Sequence, residues 1–212
     1  MEISKGVHLI EATKGSYAYL VLGQEPVLID TGFRGRADRI LQELAAIGVR
    51  PRDIAHIALT HHDIDHVGNA QALAQVMGAK VWASAEDRAF IRGEAKPRGL
   101  RGLMRAVSPV APPPVDETYA AGCVVGGLEV LATPGHTRGH VSLRLGDILF
   151  AGDLVTSRGG RLAAPPRMLT DDRSALQRSL REVGRLPFRL VCPAHGEPIA
   201  RGGLWEALAG EG

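Results

Sequence analysis

The stretch Thr60-His61-His62-Asp63-Ile64-Asp65-His66-Val67-Gly68 follows directly on an apolar run at residues 54–59, which is typical of a short buried strand. Four of its side chains are potential metal ligands: His61, Asp63, Asp65 and His66. A chain that turns after a strand can bring such neighbours around one point. Imidazole nitrogen and carboxylate oxygen suit Zn²⁺, and also Fe²⁺ or Mn²⁺. The stretch therefore predicts a metal site at the end of a strand.

Three further potential ligands occur where other predicted strands end or turn. His136 lies in the Pro/Gly-containing turn at residues 133–140, Asp153 follows an apolar run, and His195 follows another. Each of these taken alone is more often a turn or surface feature. Together with the first stretch they indicate one site assembled from several strand ends.

The composition favours a small-molecule substrate over nucleic acid. The chain has 212 residues with 25 Lys and Arg against 23 Asp and Glu, a formal net charge of +2. This length fits one domain over residues 1–212. No secretory signal or membrane span is predicted, and the 2 cysteines, Cys123 and Cys192, lie far apart. We expect a cytoplasmic protein without a disulfide framework and without a membrane partner, whereas the oligomeric state is open.

The hydrophobic pattern divides the chain into two halves, each with strands followed by helices. The predicted strands are residues 17–22, 26–29, 54–59, 81–83, 123–125, 128–131, 141–145, 148–151 and 189–192. The predicted helices are residues 40–47, 70–77, 86–91 and 172–186. This order predicts an α/β (α+β) fold in which two sheets pack together with helices outside.

Residues 93–114 contain glycines, the run Pro112-Pro113-Pro114 and little periodicity, so we expect a loop or cap insertion. Residues 88–105, which overlap this segment, carry six basic residues and the single acid Glu94. The basic residues are Arg88, Arg92, Lys96, Arg98, Arg101 and Arg105. Two interpretations stay open: a solvated face of a flexible lid, or a lid that attracts an anionic substrate.

The order of the motifs resembles the metallo-β-lactamase superfamily over residues 17–196. The motifs are Asp30-Thr31-Gly32 after a strand, residues 60–68, Pro134-Gly135-His136-Thr137, Gly152-Asp153 and His195-Gly196. The resemblance implies an αββα sandwich of two mixed β-sheets flanked by helices, with metal ions in a shallow cleft at one edge.

The same resemblance implies a dinuclear ligand set. One site would use His61, Asp63 and His136. The second would use Asp65, His66 and His195, with Asp153 bridging. Asp30 would orient a ligand histidine through a hydrogen bond, and His140 would support the site without ligating.

The chain departs from the family pattern at one ligand position. The usual HxHxDH motif is HxDxDH here, with Asp63 in place of the second histidine. His62 is the weaker substitute because adjacent side chains of an extended chain point to opposite faces. Asp63 would make a dinuclear site with a bridging hydroxide formally neutral. We expect lower Lewis acidity, or a first site that binds metal weakly in a mononuclear protein.

The resemblance implies a metal-dependent hydrolase, with one or two ions of zinc expected and iron or manganese possible. A metal-activated water would attack a small ester, lactone or thioester, and Asp65 would hold and deprotonate that water. Exported β-lactamases and the longer hydroxyacylglutathione hydrolases fit less well. Candidate substrate contacts, each more often a core or surface residue, are Tyr17, Tyr19, Tyr119 and Arg138.

Two alternative functions remain. A mononuclear iron persulfide dioxygenase of the same superfamily would use His61, His136 and Asp153, a two-histidine, one-carboxylate set known for iron. A non-catalytic metal-binding protein is the other alternative. Nearly every ligand position is filled, which favours an enzyme.

Overall fold

The computed structural model describes residues 1–210, which form fifteen strands and six α-helices. The strands are β1 (Glu2–Ser4), β2 (Val7–Ile10), β3 (Ala18–Val21), β4 (Val27–Ile29), β5 (His56–Ala58), β6 (Lys80–Ala83), β7 (Glu117–Thr118), β8 (Val124–Val125), β9 (Leu128–Ala132), β10 (Val141–Leu145), β11 (Ile148–Gly152), β12 (Thr156–Arg158), β13 (Arg161–Ala163), β14 (Leu190–Pro193) and β15 (Ile199–Ala200). The helices are α1 (Ala37–Ile47), α2 (Ala70–Met77), α3 (Ala85–Ile91), α4 (Gly99–Val107), α5 (Arg173–Gly184) and α6 (Leu204–Ala209). No helix among these is long and apolar enough to cross a membrane.

The two main sheets are both mixed, and each is built from one half of the chain. The first has seven strands in the order β1-β2-β3-β4-β5-β6-β7, antiparallel up to β4 and parallel from there on. The second has six strands in the order β15-β14-β11-β10-β9-β8, in which β11 and β14 are parallel. The remaining pair, β12 and β13, forms a separate hairpin.

The core between the sheets follows from the alternation of side chains along each strand. In β4, Val27 and Ile29 face the second sheet, while Leu28 between them faces the helices outside. In β11, Ile148 and Phe150 face the first sheet, and Leu149 faces outward. Fully burying one such side chain contributes about 1.5–3 kcal/mol, so a shift of register by one residue is strongly disfavoured.

Helices cover both outer faces and complete the predicted αββα sandwich. On the first sheet, Ile40 and Leu44 of α1 and Leu73 of α2 pack in the same cluster as Leu28. On the second sheet, α5 and α6 supply the covering side chains, Leu176, Leu180, Val183 and Trp205. The fold class predicted from the sequence is confirmed.

The cap differs from the sequence-based expectation, because residues 93–114 are not entirely loop. They include α4, which has basic and apolar side chains but no fully buried residue. Two glycines, Gly99 and Gly102, fall inside this short helix and obscure its period. Gly102 permits a close approach, since a Cβ there would lie 2.5 Å from the carbonyl oxygen of Pro97.

The edge of the sandwich that will form the site collects the ends of four strands. Asp30 follows β4 and His61 follows β5 at the carboxyl ends of neighbouring parallel strands. Asp153 follows β11 and His195 follows β14, which are the parallel pair of the second sheet. The fold therefore brings chemistry-bearing residues from both halves to one edge.

Candidate metal centre

The seven predicted metal ligands converge at this edge. Ligand atoms within 4.8 Å of one another form three groups: His61, Asp63 and His136; His61, His66 and Asp153; and Asp65, His66 and His195. The group that contains Asp153 shares His61 with the first group and His66 with the third. Asp153 therefore lies between the other two groups, as a bridging carboxylate would. His61, His66 and His136 are fully enclosed, whereas the side chain of His195 is 31% exposed and marks the open side.

Asp30 fixes the loop that carries the motif. Its backbone adopts the left-handed conformation, with φ of 57°, which acidic residues tolerate better than most. One carboxylate oxygen accepts the backbone N–H of Thr60, at 2.8 Å. The other accepts the Thr60 hydroxyl and pairs with Nδ1 of His66, at 2.8 and 2.9 Å. Asp30 thereby turns Nε2 of His66 toward the centre.

Gly68 lets the motif loop pack against the loop that follows Asp30. A Cβ at this position would lie 2.3 Å from the carbonyl oxygen of Gly32, so a larger residue would separate the two loops. The backbone N–H of Thr31 also donates to the carbonyl of His66, at 2.8 Å. The two loops therefore form one rigid support for the ligands.

His61 presents a free nitrogen to the centre. Its Nδ1 lies 3.0 Å from the hydroxyl oxygen of Thr60. Its Nε2 is buried and has no hydrogen-bond partner among residues 1–210, although Asp63 Oδ2 lies 3.5 Å away. Burial, helped by the nearby His66, holds the pKa of His61 well below its ordinary value. A neutral imidazole with an open lone pair is the form that binds a metal ion.

His195, on the open side, and the enclosed His66 both lie among carboxylates. Nδ1 of His195 pairs with the Gly15 carbonyl at 2.7 Å, and Nε2 lies 3.2 Å from Asp65 Oδ2 and 3.3 Å from Asp153 Oδ2. Burial alone would lower the pKa of His195, but hydrogen bonds to Asp153 and Asp65 raise that pKa to about 10. Burial is likewise outweighed at His66, where Asp153, Asp30 and Asp65 raise the pKa well above its ordinary value.

Asp153 lies between the ligand groups. Its Oδ2 is 3.3 Å from Nε2 of His136, the distance it also keeps from His195, and its Oδ1 is 3.4 Å from Nε2 of His66. The backbone N–H of Asp153 donates to Nε2 of His140 at 2.9 Å. That bond places the proton of His140 on Nδ1, toward Thr133 Oγ1 at 2.8 Å. His140 therefore positions Asp153 and presents no nitrogen to the centre.

Asp63 and His62 point to opposite sides of the motif loop. Asp63 Oδ2 lies 3.0 Å from Nε2 of His136, inside the first group. Burial alone would raise the pKa of Asp63, but its hydrogen bond with His136 and the nearby His61 ring hold that pKa well below the ordinary carboxyl value. His62 stacks on Phe90 and pairs with Asp87 at 3.0 Å, away from the other ligands.

Arg101 enters the centre and was not singled out by the sequence. Its Nε donates to Asp63 Oδ1 at 2.6 Å, and its Nη2 lies 3.1 Å from Nε2 of His136. The local basic bias of the cap was a signal that this segment carries charge. The sequence could not indicate which cation turns inward, because the contact joins residues 38 positions apart.

The tyrosines considered as substrate contacts belong to the core. The hydroxyl of Tyr19 donates to the Pro193 carbonyl at 2.7 Å, and that of Tyr119 to the Leu59 carbonyl at 3.2 Å. Tyr17 is buried with Tyr19 between the sheets. Arg138 is exposed and lines a groove beside the centre, together with Lys96 and Arg98.

The candidate ligands are suited to a divalent ion because some of their buried ligand atoms have no hydrogen-bond partner. Buried ligand atoms without a hydrogen-bond partner in the described part of the chain include His61 Nε2 and Asp153 Oδ1. Buried polar atoms are normally paired, and unpaired ones indicate a ligand that completes them. The donors are imidazole nitrogens and carboxylate oxygens, which suits zinc, iron or manganese.

A family model described as the metallo-beta-lactamase superfamily matches residues 13–195, a range that includes all of these ligands. The chain belongs to the metallo-β-lactamase superfamily. Among solved structures, a metallo-beta-lactamase family protein from Thermus thermophilus superposes with a TM-score of 0.76 at 27% identity. The likeness covers 99% of this chain and 79% of that one.

Curated relatives of this superfamily member include hydrolases. "Probable metallo-hydrolase YflN" from Bacillus subtilis is 27% identical over 93% of this chain and 86% of its own length. A hydroxyacylglutathione hydrolase from Shewanella baltica is 29% identical, with 86% of this chain matched to 62% of that enzyme. These relatives support a metal-dependent hydrolase and leave its substrate and metal to be proposed.

Proposed function

We propose that the chain hydrolyses a small ester, lactone or thioester with a water molecule activated by a divalent metal ion, with zinc as the expected metal. The observation that carries the proposal is the convergence of seven imidazole and carboxylate side chains at one edge, where His61 Nε2 and Asp153 Oδ1 are buried without a hydrogen-bond partner among residues 1–210. We propose that the metal ligands are drawn from these seven candidates: His61, Asp63, Asp65, His66, His136, Asp153 and His195.

A bound divalent ion supplies Lewis acidity, which makes water nucleophilic near neutral pH and polarises a carbonyl group. The contribution of the protein is to position its groups around that chemistry. Asp30 and the Gly15 carbonyl fix the rings of His66 and His195 through their Nδ1 atoms, at 2.9 and 2.7 Å. Such outer partners set the ring orientation and the nitrogen that faces the ion.

Asp65 is the proposed catalytic base. Its carboxylate lies on the open side of the centre, and its Oδ2 is 3.2 Å from Nε2 of the partly exposed His195. A carboxylate in this place can accept the proton of the attacking water and hold the water in line with the substrate carbonyl. Asp153, fully enclosed by three histidines, keeps the spacing of the site and is less able to reach a substrate.

The groove beside the centre suggests an anionic substrate. Its lining includes the cations Lys96, Arg98 and Arg138 together with one acid, Glu86. The other acids of the lining, Asp87 and Asp171, pair with His62 and Arg101. Cations at the entrance raise the local concentration of a negatively charged substrate and orient its acidic group. A thioester has further support from the hydroxyacylglutathione hydrolases, although the chain spans only 62% of the length of the one from Shewanella baltica.

The alternative of a mononuclear iron dioxygenase has weaker support. It would bind iron through His61, His136 and Asp153, but Arg101 Nη2 lies 3.1 Å from the His136 nitrogen that would have to ligate. The curated relatives above are named as hydrolases. A non-catalytic role leaves the open position beside Asp65 and His195 without a purpose.

A substrate panel on metal-reconstituted protein tests the proposal. We expect turnover of thioesters, lactones or small esters, and little turnover of phosphoesters and β-lactams. Elemental analysis of the same preparation identifies the metal. Iron together with oxygen uptake on glutathione persulfide would favour the dioxygenase, and failure to turn over any member of the panel would refute the hydrolase.

A further inference from the structure

Arg101 is held inside the first ligand group as a built-in cation. It comes from α4 of the cap, and its side chain is only 10% exposed. Nε donates to Asp63 Oδ1 at 2.6 Å, and Nη1 donates to Asp171 Oδ1 at 2.8 Å. Nη2 donates to the carbonyls of His136, at 3.0 Å, and Leu169. Acceptors from three separate segments thus fix the guanidinium.

This position competes with a metal ion in the same group. An ion bound by His61, Asp63 and His136 needs the lone pair of His136 Nε2, and Nη2 of Arg101 lies 3.1 Å from that nitrogen. A guanidinium is charged at every accessible pH, so it cannot avoid the repulsion by losing its proton. Two cations of like sign this close in a water-poor site repel strongly.

The other side of the centre has no such competitor among residues 1–210. Asp65 Oδ2 pairs with His195 and His66, at 3.2 and 3.8 Å. Asp153 pairs with His66, His136 and His195. All of these partners offer imidazole nitrogens or carboxylate oxygens, which are themselves metal donors, whereas a guanidinium offers no donor atom to a metal ion.

Arg101 also accounts for the departure from the usual motif. A histidine at position 63 would offer the guanidinium a neutral ring or a positive one, whereas the carboxylate of Asp63 neutralises it directly. A buried arginine is stable only when paired, and Asp63 supplies that pair from the motif itself. Asp63 and Arg101 therefore form one buried ion pair within the first ligand group.

We propose that Arg101 is the resident cation of the first ligand group and takes the place of the first metal ion. The chain then holds a single divalent ion, bound by Asp65, His66, His195 and Asp153. This inference rests on the proposed function for the presence of that one ion. It makes Arg101 a positioning residue, which fixes the number of ions and anchors α4 over the centre.

The test is a Zn²⁺ titration of metal-stripped protein by isothermal calorimetry, with bound zinc checked by elemental analysis. We expect one ion per chain for the wild type and two for Arg101→Gln, which removes the positive charge. Arg98→Gln is the matched control, because Arg98 is exposed just before α4, and it should keep one ion. Two ions in the wild type, or one in Arg101→Gln, would overturn the proposal.

A second variant guards against a folding defect in Arg101→Gln. Asp63→His combined with Arg101→Gln restores the usual motif without the guanidinium, so this double variant should also bind two ions, with circular dichroism confirming the fold. One ion in the folded double variant counts against the proposal. The substrate panel is scored separately: one ion without turnover refutes the hydrolase and leaves Arg101 in place, while two ions with turnover do the reverse.

Discussion

Asp65 is the side chain whose chemistry the proposed reaction needs most directly. We predict that Asp65→Asn lowers kcat, per bound metal ion, by about 10²–10⁴, because an amide cannot accept a proton from water. Steady-state assays on the best substrate of the panel, normalised to metal content, measure this. Asp38→Asn, an exposed acid on α1, is the matched control and should retain full activity. An unchanged kcat in Asp65→Asn would show that Asp65 is not the catalytic base.

His195 and His66 should make metal binding dependent on pH. The pKa of His195 is raised to about 10 and that of His66 well above its ordinary value, so both carry protons at pH 7 in the metal-free protein. A metal ion binds the deprotonated rings, so its affinity should rise with pH up to about 10 and fall as pH falls.

Proton release makes that prediction measurable. We predict that zinc binding releases protons from these rings. Calorimetric titrations in buffers of different ionisation enthalpy give the number directly. Identical binding enthalpies in all buffers would mean that the rings are already neutral.

At the scale of single residues, the sequence predicted which candidate ligands lie together better than it predicted their neighbours. The seven ligand positions follow from motif spacing, because a turn after a strand constrains which side chains can point together. Arg101 could not be predicted in the same way. Its partners Asp63, His136 and Asp171 come together only when the cap folds over the edge.

Helix α3 is tied to the centre through one buried carboxylate. Asp87 accepts the backbone N–H groups of His62 and Gly139, at 3.1 and 3.2 Å, and the Thr137 hydroxyl at 2.9 Å. We predict that Asp87→Asn destabilises the protein by about 1–3 kcal/mol, since an amide cannot replace all of these acceptor bonds. Urea denaturation measures the change. Glu86→Gln, the exposed neighbour, should lie close to wild type.

The same carboxylate has a defined pH signature. Burial alone would raise the pKa of Asp87, but hydrogen bonds from His62 and Thr137 hold that pKa below the ordinary value of 3.8. Its contribution is therefore present above pH 3.8 and is lost as pH falls through the folded-state pKa. The stability gap between wild type and Asp87→Asn should be constant near neutral pH and shrink in strong acid. A gap that widens in acid would contradict this sign.

Exposed cations in the groove beside α4 are expected to bind an anionic substrate. Arg138 lines this groove together with Lys96 and Arg98. We predict that Arg138→Gln raises KM for an anionic substrate about two- to five-fold, equivalent to an exposed ion pair of about 0.5–1 kcal/mol, and leaves KM for a neutral analogue unchanged. Arg39→Gln on the exposed face of α1 controls for net charge. An equal effect on both substrates would argue against charge recognition.

At the scale of elements, long periodic segments were predictable and short ones were not. Helices α1 and α5 have clear apolar stripes, and the structure places them within a few residues of the predicted bounds. The strands β1 and β2 and the hairpin of β12 and β13 are only three or four residues long, so they carry little pattern. Helix α4 was missed because Gly99 and Gly102 interrupt its short pattern.

The whole molecule works as two halves that share one site. The half that forms the first sheet supplies the candidate ligands His61, Asp63, Asp65 and His66, and the other half supplies the candidates His136, Asp153 and His195. The two-sheet arrangement was predictable because each half repeats strands followed by helices. The geometry at the shared edge depends on packing between the sheets, which no local pattern encodes.

The dependence of the hydrolysis rate on bound metal tests the central claim most directly. Protein stripped with a chelator is reloaded with zinc in steps, and turnover of the best substrate is measured against zinc bound per chain. We predict no turnover without metal and a rate that rises in proportion to bound zinc until the site is full. Turnover that persists in stripped protein, or a fully loaded protein without turnover, would contradict a metal-dependent hydrolase.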